Sequence, residues 1–514
     1  MSKALLKSSL VVSIMTMLSR VFGVVRDIVF SHYLGATGGA DAFFIAFKIP
    51  NLMRRIFAEG AFSQAFIPVL AEHKHEGDDE LTRRFISNVW GTLGAFLFLI
   101  SVIGIFLAPV IALIFVPGWY FDKPNQYQLT VLLLRFTTPY ILFISLVACA
   151  GGILNSYGKF AVPAFTPVLL NVSLIMATIF LTPYYSNPQV GIACGVFIAG
   201  LVQLAFQLPF LFQLGVLALP RWGWNTPAVK KIVKLMLPSI VGSSASQINL
   251  LVGSILASLL VTGSVSWLYY SDRLMEFPVG VFGIAVSTVI LPKLSQQHVG
   301  ENKEHFSRTL DWALRLVLII GTPAVIGLIF LSEPIIATIF GHGAITANDV
   351  TQASKSLIAY AIGTQGFILV KVLAPGYFAR KDTKTPMKFG LIAVVTNIAL
   401  SLILLYPLQH VGLALATSLA AIVNAILLFI TLYRREIYRP EAGWGGMILR
   451  SVIANVILAA FLIYFSAIDS HWFDLPLLEK VIFLLKMVVG GGALYFFVLA
   501  LLGLRLSHLK ADIH

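Results

Sequence analysis

Apolar residues fill this chain in long blocks, and polar residues break the blocks at short, regular intervals. A run of about 18 apolar residues with few charges is long enough to cross roughly 30 Å of hydrocarbon as a helix. Runs of that kind recur from end to end. They predict about fourteen helices, at roughly 9–33, 40–71, 85–116, 127–155, 161–182, 189–217, 229–261, 266–292, 309–340, 350–378, 386–406, 411–433, 446–467 and 479–506. Gly, Pro and Asn mark the short turns, as in Gly35 to Gly39, Pro183 to Pro188 and Gly341 to Gly343. The pattern predicts an all-α polytopic membrane protein.

Charge alternates between the turns. One set carries Lys74, Arg83 and Arg84; Lys159; Arg221, Lys230 and Lys231; Lys293, Lys303 and Arg308; Arg380, Lys381, Lys384 and Lys388; and Arg434, Arg435 and Arg439. The other set holds only Lys123 and Lys480. Positive loops stay on the cytoplasmic side, so the alternation predicts an even number of spans with both termini cytoplasmic.

Composition supports the same class. Of 514 residues, 58% are hydrophobic and 11% charged, where a soluble domain is about half apolar and a quarter charged. Such a chain has more apolar surface than one soluble core can bury. The formal charge of +13 would suggest nucleic acid in a soluble protein. Here the loops that orient the chain account for it, and no nucleic-acid partner is expected. Cys149 and Cys194 fall in apolar segments and are expected as buried small residues, with no disulfide framework. The first apolar block is too long for a cleavable signal peptide, carries Arg20, Arg26 and Asp27, and ends without an A-x-A site.

A weak repeat divides the chain. Ala61 to Leu70 (AFSQAFIPVL) resembles Ala285 to Leu294 (AVSTVILPKL) at an offset of about 224 residues. Tyr157-Gly158-Lys159 before Pro163 parallels Arg380-Lys381-Asp382 before Pro386 at nearly the same offset. Two matches at one offset point to duplication. They predict two pseudo-symmetric six-helix lobes, 1–218 and 219–440, related by an axis along the membrane normal, with a cavity between them. Residues 441–514 then supply two extra helices.

Catalytic signatures are missing: no G-x-x-x-x-G-K-[ST], no H-E-x-x-H and no G-x-S-x-G. No cofactor, metal or ATP hydrolysis is expected. The informative residues are charges inside helices, each costing about 2.5–3.5 kcal/mol at a helix centre facing lipid. The first helix holds Arg20, Arg26 and Asp27; the second Asp41, Lys48, Arg54, Arg55 and Glu59; the eighth Asp272, Arg273 and Glu276. Arg20 and Asp27 are seven residues apart, as are Asp41 and Lys48, so each pair shares a helix face. Internal ion pairs are one explanation. In the first two helices, however, five cations face three acids, and guanidinium pairs well with phosphate oxygens. That surplus points to a phosphate-bearing substrate.

Ser13 to Asp27 (SIMTMLSRVFGVVRD), Ala40 to Leu70 (ADAFFIAFKIPNLMRRIFAEGAFSQAFIPVL) and Tyr270 to Pro278 (YSDRLMEFP) resemble the MurJ (MviN) family of lipid II flippases. The resemblance runs the length of the chain. It implies a multidrug/oligosaccharidyl-lipid/polysaccharide exporter fold, with the extra helix pair forming a groove for a lipid tail. It implies alternating access that carries lipid II, the undecaprenyl-pyrophosphate-linked peptidoglycan precursor, across the bacterial inner membrane from the cytoplasmic to the periplasmic face. Lipid II and membrane lipids are the partners implied, with cell-wall synthesis machinery as the class of protein partner. By motif, the family's functional arginines fall on Arg20, Arg26, Arg54 and Arg273. Asp41, Asn51, Glu59 and Glu276 are further substrate-binding candidates. Spacing alone favours Arg55 over Arg54, but Pro50 interrupts that helix, so the motif decides.

Other functions make different demands. A flippase for another lipid-linked oligosaccharide would use the same arginines. A small-molecule antiporter for organic cations wants carboxylates rather than an arginine-rich lobe. An enzyme acting on a lipid pyrophosphate wants Asp or His clustered at a membrane face. A scaffold needs no central charge.

Overall fold

The computed structural model describes residues 3–53, 62–75, 77–217, 219–299, 303–466 and 472–504, with the backbone alone for 3–10, 237–246, 284–285 and 299. All regular structure among the described residues is helical. Two compact units divide the chain, Met1–Ser266 and Trp267–His514.

The first unit is built from α1 (Lys3–Leu34), α2 (Gly38–Met53), α3 (Ser63–His75), α4 (Asp79–Phe106), α5 (Ala108–Phe115), α6 (Pro117–Asp122), α7 (Pro124–Thr137), α8 (Tyr140–Ser156), α9 (Ala161–Phe180), α10 (Pro188–Gln213) and α11 (Pro227–Ser258). Proline starts α6, α7, α10 and α11, where its missing N–H costs nothing. Asp78 caps α4 by accepting from the amides of Glu80 at 2.8 Å and Leu81 at 3.0 Å. The core joins α3, α4 and α8: Phe62 stacks on Phe66, and Phe66 on Phe85, against Ile153 and Leu154. Cys149 is buried in that core and Cys194 is half-buried; both are free.

The second unit takes in most of α12 (Ser264–Pro278), then α13 (Ile284–Val299), α14 (Lys303–Phe330), α15 (Ser332–Ile339), α16 (Ala347–Phe378), α17 (Lys384–Arg434), α18 (Trp444–Ser466) and α19 (Leu477–Leu501). Its hub is Asp311 of α14, buried at 1% exposure. Its carboxylate accepts from Arg315 Nε at 2.6 Å, Tyr438 OH at 2.7 Å, Trp444 Nε1 at 2.7 Å and the Glu441 amide at 3.3 Å. One acid thus fastens the connection from α17 to α18 onto α14. Leu458, Met487 and Tyr495 then pack α18 and α19 with Ile319 and Leu331, and the Tyr495 hydroxyl donates to the Ile319 carbonyl at 2.8 Å.

Ten helices among the described residues are long and apolar enough to cross a membrane. One of them, α17, has a break at Gln409 (φ 49°, ψ −130°) two residues after Pro407, and covers two predicted blocks, 386–406 and 411–433. The other predicted blocks fall on α1, on α2 with α3, and on α11. These carry internal charges or include residues outside the described set. The eighth block is longer than predicted, from Ser264, and passes through a wide π turn at Val279–Gly283. Pro278, which has no N–H to donate, precedes that turn. The third block begins earlier, at Asp79, and α5 continues it past Leu107, where Pro109 opens a new first turn.

Candidate functional site

Arg26 lies on α1 and is buried at 6% exposure. Its guanidinium donates to Asp27 Oδ1 from Nε at 3.0 Å and Nη2 at 2.6 Å, and from Nη1 to Asn171 Oδ1 at 2.9 Å. It also sits over the Phe30 ring, 5.6 Å from the centroid. Asn171, on α9, donates in turn to the Ser19 carbonyl at 3.0 Å. Residues i and i+1 of a helix do not ordinarily face each other, so Arg26 curls back to close this pair. Asn171 is half of the clamp, yet its signal in the sequence was slight: a lone carboxamide in the middle of an apolar block.

Arg20 is different. It is exposed, on the same face of α1 as the exposed Met17 and Val24, and makes no hydrogen bond or ion pair among the described residues. An uncompensated cation in an apolar stripe is costly against lipid, and an anion would offset that cost.

Asp41, in the first turn of α2, is buried at 1% exposure and fully engaged. It accepts from the Gly263 amide at 2.7 Å, the Ser266 amide at 2.9 Å and the Ser266 hydroxyl at 2.6 Å. It therefore caps the first turn of α12 from another helix, placing a negative charge at a helix N-terminus. At the near end of α11, Lys123 Nζ donates to the Leu260 carbonyl at 2.7 Å, which places a cation at a helix C-terminus. Burial holds the Lys123 ammonium below the usual lysine range, and the carboxylates of Asp41 and Asp122 work against that. The turn between α11 and α12 is thus gripped at both ends by charges of the right sign. Lys48 donates to Ser254 Oγ at 3.0 Å, and Asn51 Nδ2 to the Phe47 carbonyl of its own helix at 3.1 Å.

In the second unit, Arg273 and Glu276 are exposed on α12. Arg273 Nη1 pairs with Glu276 Oε2 at 3.3 Å, and the guanidinium lies 5.1 Å from the Tyr269 ring centroid. Arg54, Arg55 and Glu59 lie outside the described residues. The structure therefore brings Arg26 and Asp27 together with Asn171, and Asp41 together with the start of α12. It leaves Arg20 and the Arg273–Glu276 pair as exposed charge.

A family model described as Lipid II flippase MurJ matches residues 30–483. The chain belongs to the lipid II flippase MurJ family. Within that family it is 47% identical to a Vibrio cholerae protein named as a probable lipid II flippase MurJ, over 99% of this chain and 98% of that one. It is 37% identical to the Burkholderia cenocepacia lipid II flippase MurJ, over 98% and 99%. Among solved structures, a lipid II flippase MurJ in an inward closed conformation superposes with a TM-score of 0.79 at 28% identity, covering 96% of this chain and all of that one. An inward-facing multidrug transporter of the MATE family superposes at 0.66 over 85% of this chain and 98% of its own, at 15% identity, and shares the fold alone. The protein is a multi-pass transporter of the bacterial inner membrane and not an enzyme.

Proposed function

We propose that this chain carries lipid II from the cytoplasmic to the periplasmic face of the inner membrane by alternating access, with no covalent step. The observation that carries the reading is the end-to-end match to lipid II flippases, within which Arg20 is an exposed guanidinium of α1 with no hydrogen bond or ion pair among the described residues. In this reading the lobes are 1–218 and 219–440, residues 441–514 take the lipid tail, and both termini are cytoplasmic. Cell-wall synthesis machinery is the class of protein partner.

Arg20, Arg26, Arg54 and Arg273 are assigned to the pyrophosphate by the family motif, with Asp41, Asn51, Glu59 and Glu276 as further substrate-binding candidates. Their roles divide by environment. Arg20 and Arg273 are exposed and suit direct contact, because a guanidinium offers a planar fork to phosphate oxygens. Arg26 is already satisfied by Asp27 and Asn171 and suits positioning of α1.

The test is complementation of a strain depleted of its own flippase, with lipid II measured on each face and membrane levels checked by immunoblot. Arg20→Ala and Arg273→Ala should insert normally yet let lipid II accumulate on the cytoplasmic face, and Lys should restore flipping only partly. Normal growth of both Ala variants at normal levels would overturn the pyrophosphate reading.

A further inference from the structure

Residues 219–226, which precede α11, cross α4 as a strap. The Arg221 amide donates to the Ser87 carbonyl at 3.1 Å, the Gly223 amide to Thr92 Oγ1 at 2.9 Å, and the Ser87 hydroxyl to the Leu219 carbonyl. Two glycines permit the approach: a Cβ on Gly91 would overlap the Arg221 backbone, and one on Gly223 would overlap Asn88.

Beside the strap lies an apolar groove of about 230 Å³, bounded by Val89, Phe96 and Ile100 of α4, Val229 and Val233 of α11, and Trp224 of the strap. A water needs two to four polar partners. The polar side chains lining the groove are Thr92, already bonded to Gly223, and Ser145, whose buried hydroxyl has no partner. Hydrocarbon suits this lining better than water does. The lining follows α4 for twelve residues, Val89 to Ile100, whose eleven steps of 1.5 Å span about 17 Å. That is close to the depth of one leaflet of a roughly 30 Å core.

One end of the groove has the composition of a membrane interface. Trp222 and Trp224 are 67% and 44% exposed and stack at 6.5 Å. Arg83, Arg221, Lys230 and Lys234 are exposed there with no carboxylate partner among the described residues, whereas Arg84 pairs with Glu80 and Lys231 with Glu72. Lys230 and Lys234 each follow a groove-lining valine by one residue.

We propose that this groove holds one acyl chain of an anionic phospholipid, with its headgroup against Arg221, Lys230 and Lys234. Its lining includes neither Arg20 nor Arg26, and the site does not depend on what the protein transports.

The test uses the purified full chain in phosphatidylcholine nanodiscs containing a set fraction of phosphatidylglycerol brominated on its acyl chains. The Trp224 signal is the fluorescence difference between the parent chain and Trp224→Phe. Brominated phosphatidylglycerol should quench it more strongly than brominated phosphatidylcholine at the same fraction. Lys230→Gln and Lys234→Gln, both on exposed surface, should each lower the apparent affinity for phosphatidylglycerol about fivefold, from roughly 1 kcal/mol per basic residue near a membrane surface. Val233→Phe, which fills the groove, should remove the quenching while gel filtration stays unchanged. Equal quenching by the two lipids, or a preference that survives both Gln substitutions, would overturn the proposal. Displacement of the brominated lipid by stoichiometric lipid II would also overturn it, because the groove would then belong to the substrate's own tail.

Discussion

Arg20 and Arg26 carry the same side chain one and two-thirds helical turns apart, and their surroundings assign them opposite consequences. Arg26→Ala would remove a guanidinium that donates twice to the buried Asp27, and breaking a buried pair by removing one partner costs roughly 3–5 kcal/mol. Its loss of function should therefore come with a loss of protein from the membrane, while Arg20→Ala should leave membrane levels normal. Quantitative immunoblotting beside complementation separates the two. Asn171→Ala removes the acceptor that Arg26 Nη1 uses and a second donor to the Ser19 carbonyl, at about 1–3 kcal/mol for a buried hydrogen bond lost. It should lower the thermal unfolding midpoint in detergent, and Asn171→Leu, of similar size and equally unable to bond, should behave alike. The charged residues were legible in the sequence because a charge is costly in an apolar block. Their partners were not. Asn171 is 145 residues from Arg26, and Ser266 is 225 from Asp41, distances across which no periodicity speaks.

At the scale of elements, hydropathy located the helices but not their interruptions. The π turn after Pro278 and the break at Gln409 depend on where backbone donors go, which a run of apolar letters does not reveal. Gln409 holds a positive φ without being glycine, a conformation that costs about 1–3 kcal/mol. Gln409→Gly should raise the unfolding midpoint if the break is fixed, a result calorimetry or a thiol-reactive melt can read. The strap gives a second test. Gly91→Leu puts a side chain where the Arg221 backbone now lies, so it should lift the strap from α4. Limited trypsin digestion should then cut after Arg221 several times faster than in the parent chain, with α4 and α8 still protected.

For the whole molecule, the alternation of basic and neutral turns predicts sidedness. Single cysteines near Ser186 and Gly343 should react with an impermeant label from outside, and those near Asp79 and Lys381 should not. The reverse pattern would overturn the orientation. The all-helical class and the family were legible because hydropathy and the blocks of α1, α2 and α12 extend through the chain. The attachment of α18 and α19 was not, since nothing near Asp311 in the sequence announces its four donors. That attachment also has a dimension in time. Tyr438 and Trp444 lie 127 and 133 residues beyond Asp311, and a ribosome adding roughly 5–20 residues per second delivers them some 6–27 s later. Through that interval the growing chain holds α14 with Arg315 as the one donor to Asp311 already made. The connection from α17 to α18 and the first residue of α18 therefore complete a partly satisfied acid rather than join a finished bundle. A chain released before Tyr438 should be left with one of that acid's four donors, and should be cleared by proteolysis faster than its apolar content alone would suggest.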